Sequence, residues 1–318
     1  MQAAPLPRLP YARDVTKLSD AYHRLPPNAR GTLWMLFSSI TFTVMTMLIK
    51  FLGDYPAALQ TFYRQAFGLI VMMPIILRDP HGAFRTTRPG ILLFRALAGT
   101  AGMILAFYAY QKLPLADANA LSFTRTLWLV PLAAFVLKEA VGPRRITATV
   151  IGFIGAMFML QPAAQGMLSG AAVLAALASS LLIALTVTGM KFMTRDHTTT
   201  TLMAWSALLG FLLAIPPALF VWRWPTMVDL MLLAAMGTLG TITQASYIKG
   251  MAEGDAAVLA PVDYTRLIFA VILGYLLFGD IPNALTMIGA AIIIASTLYI
   301  TIRESRLGVP KTPQARTE

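Results

Sequence analysis

The chain lacks cysteine and carries little charge. With no cysteine among its 318 residues, disulfides, thiolate metal sites and cysteine nucleophiles are all excluded. The three histidines fall in polar connecting segments, so a histidine metal site is not expected. Only 12% of the residues are charged and 57% are hydrophobic, whereas a soluble domain carries about 25% charge. These shortages predict a polytopic membrane protein.

The basic residues are spread along the chain rather than gathered on one surface. The formal net charge of +11 raises the question of a nucleic-acid partner. Such a partner requires Lys and Arg clustered on a soluble face together with aromatic residues, but here they stand between apolar runs. We therefore expect the protein to lie in a lipid bilayer and to bind no nucleic acid.

Apolar segments of about 20 residues recur along the chain, each long enough to cross roughly 30 Å of hydrocarbon. Turn signals such as "RDPHG" and "GDIPN" separate them. Ten membrane-spanning helices are predicted, at residues 31–52, 56–77, 90–112, 115–137, 144–161, 168–192, 198–222, 226–249, 255–278 and 283–302.

The tails and loops predict how these helices are oriented. Residues 1–30 have no apolar run of the signal-peptide type, so they and residues 303–318 are expected to be solvated tails. If the N-terminus is cytoplasmic, 18 of the 25 Lys and Arg residues fall on the inner side, three at the outer edges and four within spans. Basic loops stay inside, which predicts a multi-pass protein of the cytoplasmic (inner) membrane with both termini cytoplasmic.

The two halves of the chain match each other in sequence. "YQKLPLADANAL" resembles "YIKGMAEGDAAVL", and "TRTLWLVPLAAFVLKE" resembles "TRLIFAVILGYLLFGD". Arg125 precedes Glu139 by fourteen residues, and Arg266 precedes Asp280 by the same number. The matching acidic residues mark helix ends, where either a helix cap or a gate salt bridge would explain them.

An odd number of spans in each half requires the second half (168–302) to enter the membrane upside down relative to the first (31–161). The loop "KEAVGPRR" is basic and its counterpart "GDIPN" is not, which agrees with that inversion. The expected fold is therefore all-α, with ten transmembrane helices as two inverted five-helix repeats. Inverted repeats are a common plan of secondary transporters, whose substrate site lies near the midplane between the halves.

This arrangement, with its Gly-rich final helices "VIGFIGAM" and "MIGAAIIIAS", resembles the drug/metabolite transporter superfamily, EamA type, over about residues 30–302. "APVDYTRLIFAVILGYLLFGDIPN" is similar to the branch that contains S-adenosylmethionine uptake carriers and amino-acid-type metabolite exporters. The resemblance implies a cavity lined by the first four predicted helices of each half. It also implies that the fifth helices are peripheral and able to form a homodimer contact.

Charged residues near the middle of the membrane are the candidate substrate ligands. Arg64, Arg125 and Arg266 each lie roughly 12–17 Å deep, where an arginine costs about 2.5–3.5 kcal/mol unless it has a partner or water. Asp263 stands three residues before Arg266 and could simply pair with it, and Arg64 and Arg125 could bond carbonyl groups. One aspartate cannot neutralise three arginines, so an anionic substrate group would complete the balance.

Aromatic and amide side chains on the same helices extend the candidate site. Trp128 follows Arg125 by three residues and is interpreted as a stacking wall, and Tyr63, Tyr264 and Gln244 are further candidate ligands. Tyr247 lies near a helix end and is interpreted as an interface anchor.

These features favour a secondary transporter of a small polar metabolite that bears a carboxylate or phosphate, either amino-acid-like or nucleoside-like, working by alternating access. A broad exporter of amphipathic or cationic compounds is the alternative, although it would need more acidic residues at depth. An integral-membrane enzyme is a third alternative, but no nucleophile, acid–base pair or metal set assembles. We therefore expect no catalytic activity and no cofactor. The chain has no Walker motif, so ATP is not expected to drive transport.

Overall fold

A computed structural model of the chain describes residues 22, 25–86, 88–136, 138, 141–160, 166–191, 199–254 and 256–306. All regular secondary structure in these residues is helical. The helices are α1 (Pro27–Phe51), α2 (Ala57–Arg78), α3 (Pro80–Phe84), α4 (Pro89–Lys112), α5 (Leu115–Ser122), α6 (Thr124–Phe135), α7 (Pro143–Leu160), α8 (Gly166–Lys191), α9 (Thr199–Phe220), α10 (Met227–Glu253), α11 (Ala256–Asp263), α12 (Thr265–Phe278) and α13 (Ala284–Arg306). Glu139 and both predicted tails, apart from a few residues at their inner ends, lie outside the described residues.

Seven helices in the described part of the chain are long and apolar enough to cross a membrane. The predicted spans 56–77, 115–137 and 144–161 are not among them. The span at 115–137 is divided into helices of 8 and 12 residues, each too short to cross alone. The described part of the chain is therefore that of an all-helical membrane protein, in which two expected continuous spans, 115–137 and 255–278, are each divided into two helices.

Several helix ends follow directly from local sequence. Pro27, Pro80 and Pro89 each stand in the first turn of their helix, where the missing N–H costs no hydrogen bond. Gly279 ends α12 in the left-handed conformation, with φ of 65°, which glycine adopts without steric cost. That turn lets the Asp280 N–H donate to the Gly274 carbonyl and fixes the position of the Asp280 side chain.

The longest helices pack in pairs. The most extensive contacts join α1 to α10, α4 to α8, α7 to α13 and α2 to α9. Glycine allows the closest of these approaches, because a β-carbon on Gly289 of α13 would lie 2.5 Å from the Gly155 carbonyl oxygen of α7. The short helices α5, α6, α11 and α12 lie among these pairs, so their junctions are enclosed by protein.

Candidate functional site

Two helices break at matching places in the two halves of the chain. α5 and α6 meet at Phe123, and α11 and α12 meet at Tyr264. The two junction residues have nearly the same backbone, with φ and ψ of −70° and −18° at Phe123 and −72° and −13° at Tyr264. Their rings touch, with centroids 4.4 Å apart. The broken helices therefore meet at an aromatic contact.

A cavity of about 120 Å³ lies beside this contact. It is on the side of the bundle where α1 begins and where α10 and α13 end. Its lining combines aromatic, apolar and charged side chains: Met35, Phe123, Arg125, Thr126, Tyr247, Met251, Asp263, Tyr264 and Thr301.

One arginine and one aspartate line the cavity. Arg125 comes from the start of α6 and Asp263 from the end of α11. Within the residues that the structure describes, Arg125 makes no ion pair or hydrogen bond, so its guanidinium is available to a ligand. Tyr264 is fixed beside it by a hydrogen bond between its hydroxyl group and that of Thr297 in α13. A basic, an acidic and an aromatic group thus share one small cavity.

Arg266 lies behind the cavity lining rather than on it. Its guanidinium stacks between two rings, 4.0 Å from the Phe123 centroid and 4.9 Å from the Phe42 centroid. It donates a 3.0 Å hydrogen bond to the Ser122 hydroxyl and contacts the Asp263 carboxylate at 4.0 Å. Arg266 is only 8% exposed. The pairing with Asp263 that the spacing allowed is therefore present.

Arg64 occupies a separate position against α10. Its side chain packs so closely that a β-carbon on Gly240 would lie 3.0 Å from the Arg64 Nε atom. It donates a 3.1 Å hydrogen bond to the side chain of Gln65. No carboxylate pairs with Arg64 in the described part of the chain. The structure does not bring Arg64 to the cavity that Arg125 lines.

Three other candidate residues also lie away from the cavity. Trp128 packs against Phe153 of α7, with ring centroids 4.6 Å apart. Tyr63 belongs to an aromatic cluster with Phe67 and Trp222, at centroid distances of 6.4 and 6.1 Å. Gln244 is exposed on the surface of α10.

The end of the bundle away from the cavity is closed by polar contacts. Lys50, at the end of α1, forms a salt bridge with Asp280 after α12. Asp280 also accepts a 3.1 Å hydrogen bond from the Leu115 N–H at the start of α5. These contacts show that a salt bridge, and not only a helix end, explains Asp280.

A second contact at this end joins the loop before α2 to α10. The Tyr55 hydroxyl donates a 2.7 Å hydrogen bond to the Asp229 carboxylate, and this bond raises the pKa of Tyr55 above its usual value near 10. Three helices (α1, α5 and α10) and the two loops that carry Tyr55 and Asp280 are thus linked across this end of the bundle.

Four residues of this region were not among the predicted substrate ligands: Phe42, Ser122, Phe123 and Tyr247. Tyr247 lines the cavity, although its place near a helix end suggested an interface anchor. Phe123 precedes Thr124-Arg125 just as Tyr264 precedes Thr265-Arg266, and that shared aromatic position could have identified it. No comparable signal marks Phe42.

Comparison with known proteins gives matches over most of the chain. The model of the EamA-like transporter family matches twice, over residues 29–161 and 170–302. The S-adenosylmethionine uptake transporter of Rickettsia prowazekii is 30% identical over 277 residues, which cover 87% of this chain and 94% of that protein. A riboflavin transporter of Rhizobium johnstonii is 30% identical over 285 residues, covering 87% and 92%.

A pseudopaline exporter of Pseudomonas aeruginosa is more distant, at 25% identity over 85% of this chain and 95% of that protein. One solved crystal structure superposes with a TM-score of 0.61 at 19% identity, over 88% of this chain and all but 1% of the other; at that identity the likeness concerns the fold alone. All three of these similar proteins are named as transporters or exporters.

Proposed function

Because the chain belongs to the EamA-like transporter family, we propose that it is a secondary carrier of a small polar metabolite with a carboxylate or phosphate group. The similar proteins named for transport of S-adenosylmethionine and riboflavin support a small-metabolite substrate. The finer assignment, an amino-acid-like or nucleoside-like anion or zwitterion, depends on the chemistry of the cavity.

The observation that carries this proposal is the guanidinium of Arg125, which has no partner among the described residues and lines a cavity that also holds Asp263. Arginine binds a carboxylate or phosphate through two parallel N–H bonds. Asp263 is placed to accept a bond from an ammonium group or another cationic group of the same ligand. The binding set in this conformation is Arg125, Asp263 and Tyr264, with Tyr247 as a further wall.

The aromatic side chains add a preference for a flat or cationic part of the substrate. Phe123, Tyr247 and Tyr264 all line the cavity, and rings of this kind stack on planar groups and attract cations through their π faces. A zwitterion that also carries a base or an onium centre would use the acidic, basic and aromatic groups together. This combination favours the S-adenosylmethionine class over a simple inorganic anion.

Transport is proposed to proceed by alternating access between two inverted repeats, which make up ten spans when each broken helix counts as one. The packing supports this arrangement. The spans of each half are numbered one to five here. α1, the first span of the first half, packs against α10, the third span of the second half. In the same way α8, the first span of the second half, packs against α4, the third span of the first half. The pairs of α2 with α9 and of α7 with α13 join equivalent spans, as a two-fold relation requires.

The proposed orientation in the cytoplasmic membrane has both termini on the inner side. A reporter fused at Asn283 should then be extracytoplasmic, as should one at Ala164, and one at Thr198 should be cytoplasmic. Cytoplasmic labelling at Asn283 would reject the inverted repeat.

The test of the substrate class is a thermal-shift screen of purified protein against anionic, zwitterionic and cationic metabolites, since a ligand of the native state raises Tm. Zwitterions with a carboxylate should raise Tm most. Arg125→Ala should weaken binding of the best compound about ten- to a hundredfold, because a hydrogen bond to a charged group is worth about 1.5–3 kcal/mol. Stabilisation by purely cationic compounds alone, unchanged in Arg125→Ala, would instead support the exporter of amphipathic cations.

A further inference from the structure

The broken helices of the two halves are in one register. Arg125 and Arg266 are 141 positions apart, and so are Leu115 and Ala256, where α5 and α11 begin. Residues that stand 141 positions apart are called repeat mates below. By this register Ser122 is the mate of Asp263, Phe123 the mate of Tyr264 and Thr126 the mate of Leu267.

The two mated arginines have different surroundings. Arg266 is held by a clasp from the first half, defined as Ser122, which accepts its hydrogen bond, and Phe123, whose ring its guanidinium covers at 4.0 Å. Arg125 has no such clasp in the described residues and faces the cavity. One arginine is thus enclosed while its mate is available to a ligand.

The mates of the clasp residues already stand near Arg125. Asp263 is the mate of Ser122 and Tyr264 the mate of Phe123, and both line the cavity together with Arg125. A second clasp, built from the second half, is therefore present but not closed on its arginine.

We propose that Arg125 and Arg266 exchange these environments during transport. In the opposite conformation, Asp263 and Tyr264 clasp Arg125, and Arg266 leaves Ser122 and Phe123 to face a cavity open to the other side of the membrane. The substrate anion would then meet Arg125 from one side and Arg266 from the other. This inference rests on the alternating-access mechanism of the proposed function.

The exchange also explains why only one of the two clasps contains a carboxylate. Asp263 contacts Arg266 at 4.0 Å now and would bond Arg125 in the opposite conformation, so it compensates whichever arginine is enclosed. Ser122 offers only a neutral hydroxyl to Arg266. Asp263 and Ser122 are therefore positioning residues that set the balance between the two conformations.

The absence of native cysteine makes the exchange directly measurable by single-cysteine labelling. Thr126 lines the cavity, whereas its mate Leu267 packs against the hydrophobic core. Thr126→Cys and Leu267→Cys would be labelled with a membrane-impermeant thiosulfonate reagent added to one face of oriented vesicles at a time. The exchange predicts that the two variants react from opposite faces.

Ser122→Asp tests the energetic part of the proposal. A carboxylate at this position would bond Arg266 as an ion pair and stabilise the present clasp. Labelling of Leu267→Cys should fall and that of Thr126→Cys should rise, changing their ratio about fivefold, because charge-assisted bonds are markedly stronger than neutral ones. Ser122→Asn, which adds similar volume without charge, is the matched control and should change the ratio less than twofold.

Three outcomes would overturn the exchange: both cysteines labelled from the same face, no labelling at Leu267→Cys from either face, or equal ratios in Ser122→Asp and Ser122→Asn. Size-exclusion profiles and Tm values establish that the compared variants are folded. Labelling of Leu267→Cys is repeated in a Thr126→Ser background. Labelling needs no substrate. If the two cysteines are labelled from opposite faces but no screened metabolite is taken up, the exchange is supported and the proposed substrate class is rejected. If a metabolite is taken up but both cysteines are labelled from the same face, only the exchange is rejected.

Discussion

The two helix junctions at the centre of the molecule have the same backbone and different surroundings. Phe123 and Tyr264 each join two helices, and each is followed by Thr-Arg. Arg125 nevertheless faces the cavity, while Arg266 is stacked between two rings. The difference teaches that sequence equivalence sets where a charge lies along its helix, whereas the conformation of the bundle decides whether water or substrate reaches it.

The largest expected effect is on stability, and it separates the two arginines. Arg266→Met removes a cation that is bonded to Ser122 and close to Asp263, and breaking a buried pair costs about 3–5 kcal/mol. Tm should fall by about 5–10 °C. Arg125→Met should change Tm by less than about 2 °C, because Arg125 has no partner to lose in the described residues. Equal losses in both variants would remove the contrast between the junctions.

The second prediction concerns the salt bridge between Asp280 and Lys50, at the end of the bundle away from the cavity. Asp280→Asn removes the charge that pairs with Lys50, whose side chain is only 14% exposed, and Tm should fall by about 3–6 °C. Asp54→Asn is the control, since Asp54 lies exposed at the same end of the bundle and should leave Tm unchanged. If both variants lose the same amount, the loss reflects net charge and not the salt bridge.

A smaller loss of stability is expected when the Tyr264 hydroxyl group, which distinguishes the two junction residues, is removed. Tyr264 shares a hydrogen bond with Thr297 of α13, and its mate Phe123 has no hydroxyl. Tyr264→Phe should lower Tm by about 2–4 °C, as expected for the loss of one hydrogen bond of roughly 0.5–1.5 kcal/mol. The Tm losses of Tyr264→Phe and Thr297→Val should sum to more than the loss in the double variant, because both remove the same hydrogen bond; fully additive losses would show that the two groups act independently.

The smallest change in stability is expected from the hydrogen bond between Tyr55 and Asp229, at the end of the bundle away from the cavity. The hydrogen bond from Tyr55 to Asp229 raises the pKa of Tyr55, so its stabilising effect is complete below pH 10. It is lost as the pH rises through the raised value, because the folded state resists deprotonation there. Tyr55→Phe should change Tm by about 1–2 °C at pH 7 and should lack the extra decline of the wild type above pH 10. Parallel melting curves from pH 8 to 11 measure this difference.

Much of the fold was accessible from the sequence because lipid imposes simple rules on composition. Apolar length predicted the long helices, and the family resemblance is confirmed. The break at Phe123 was not predicted. Pro261 stands three residues before the junction at Tyr264, but the first half breaks without a proline within the preceding eight residues. The feature that the two junctions share is the ring contact between Phe123 and Tyr264, a tertiary interaction that helical periodicity does not contain.

The candidate site was predicted only in part, because the depth of a residue in the membrane does not specify which neighbours its side chain contacts. Depth selected Arg125, Asp263 and Tyr264, which the structure brings to one cavity, and it equally selected Arg64, which packs against α10 instead. Trp128 follows Arg125 by three residues, but three residues turn a helix about 60° short of a full turn. That rotation places its ring against Phe153 of α7 and not on the cavity.

The most direct test of the central claim is counterflow exchange in proteoliposomes, using the metabolite that gives the largest thermal shift. Wild-type protein should accumulate labelled compound against an unlabelled internal pool. Arg125→Ala, folded and with Tm near that of the wild type, should lose this exchange at concentrations that saturate the wild type, and Arg125→Lys should recover only part of it because an ammonium lacks the planar fork. Undiminished exchange by folded Arg125→Ala would contradict the account.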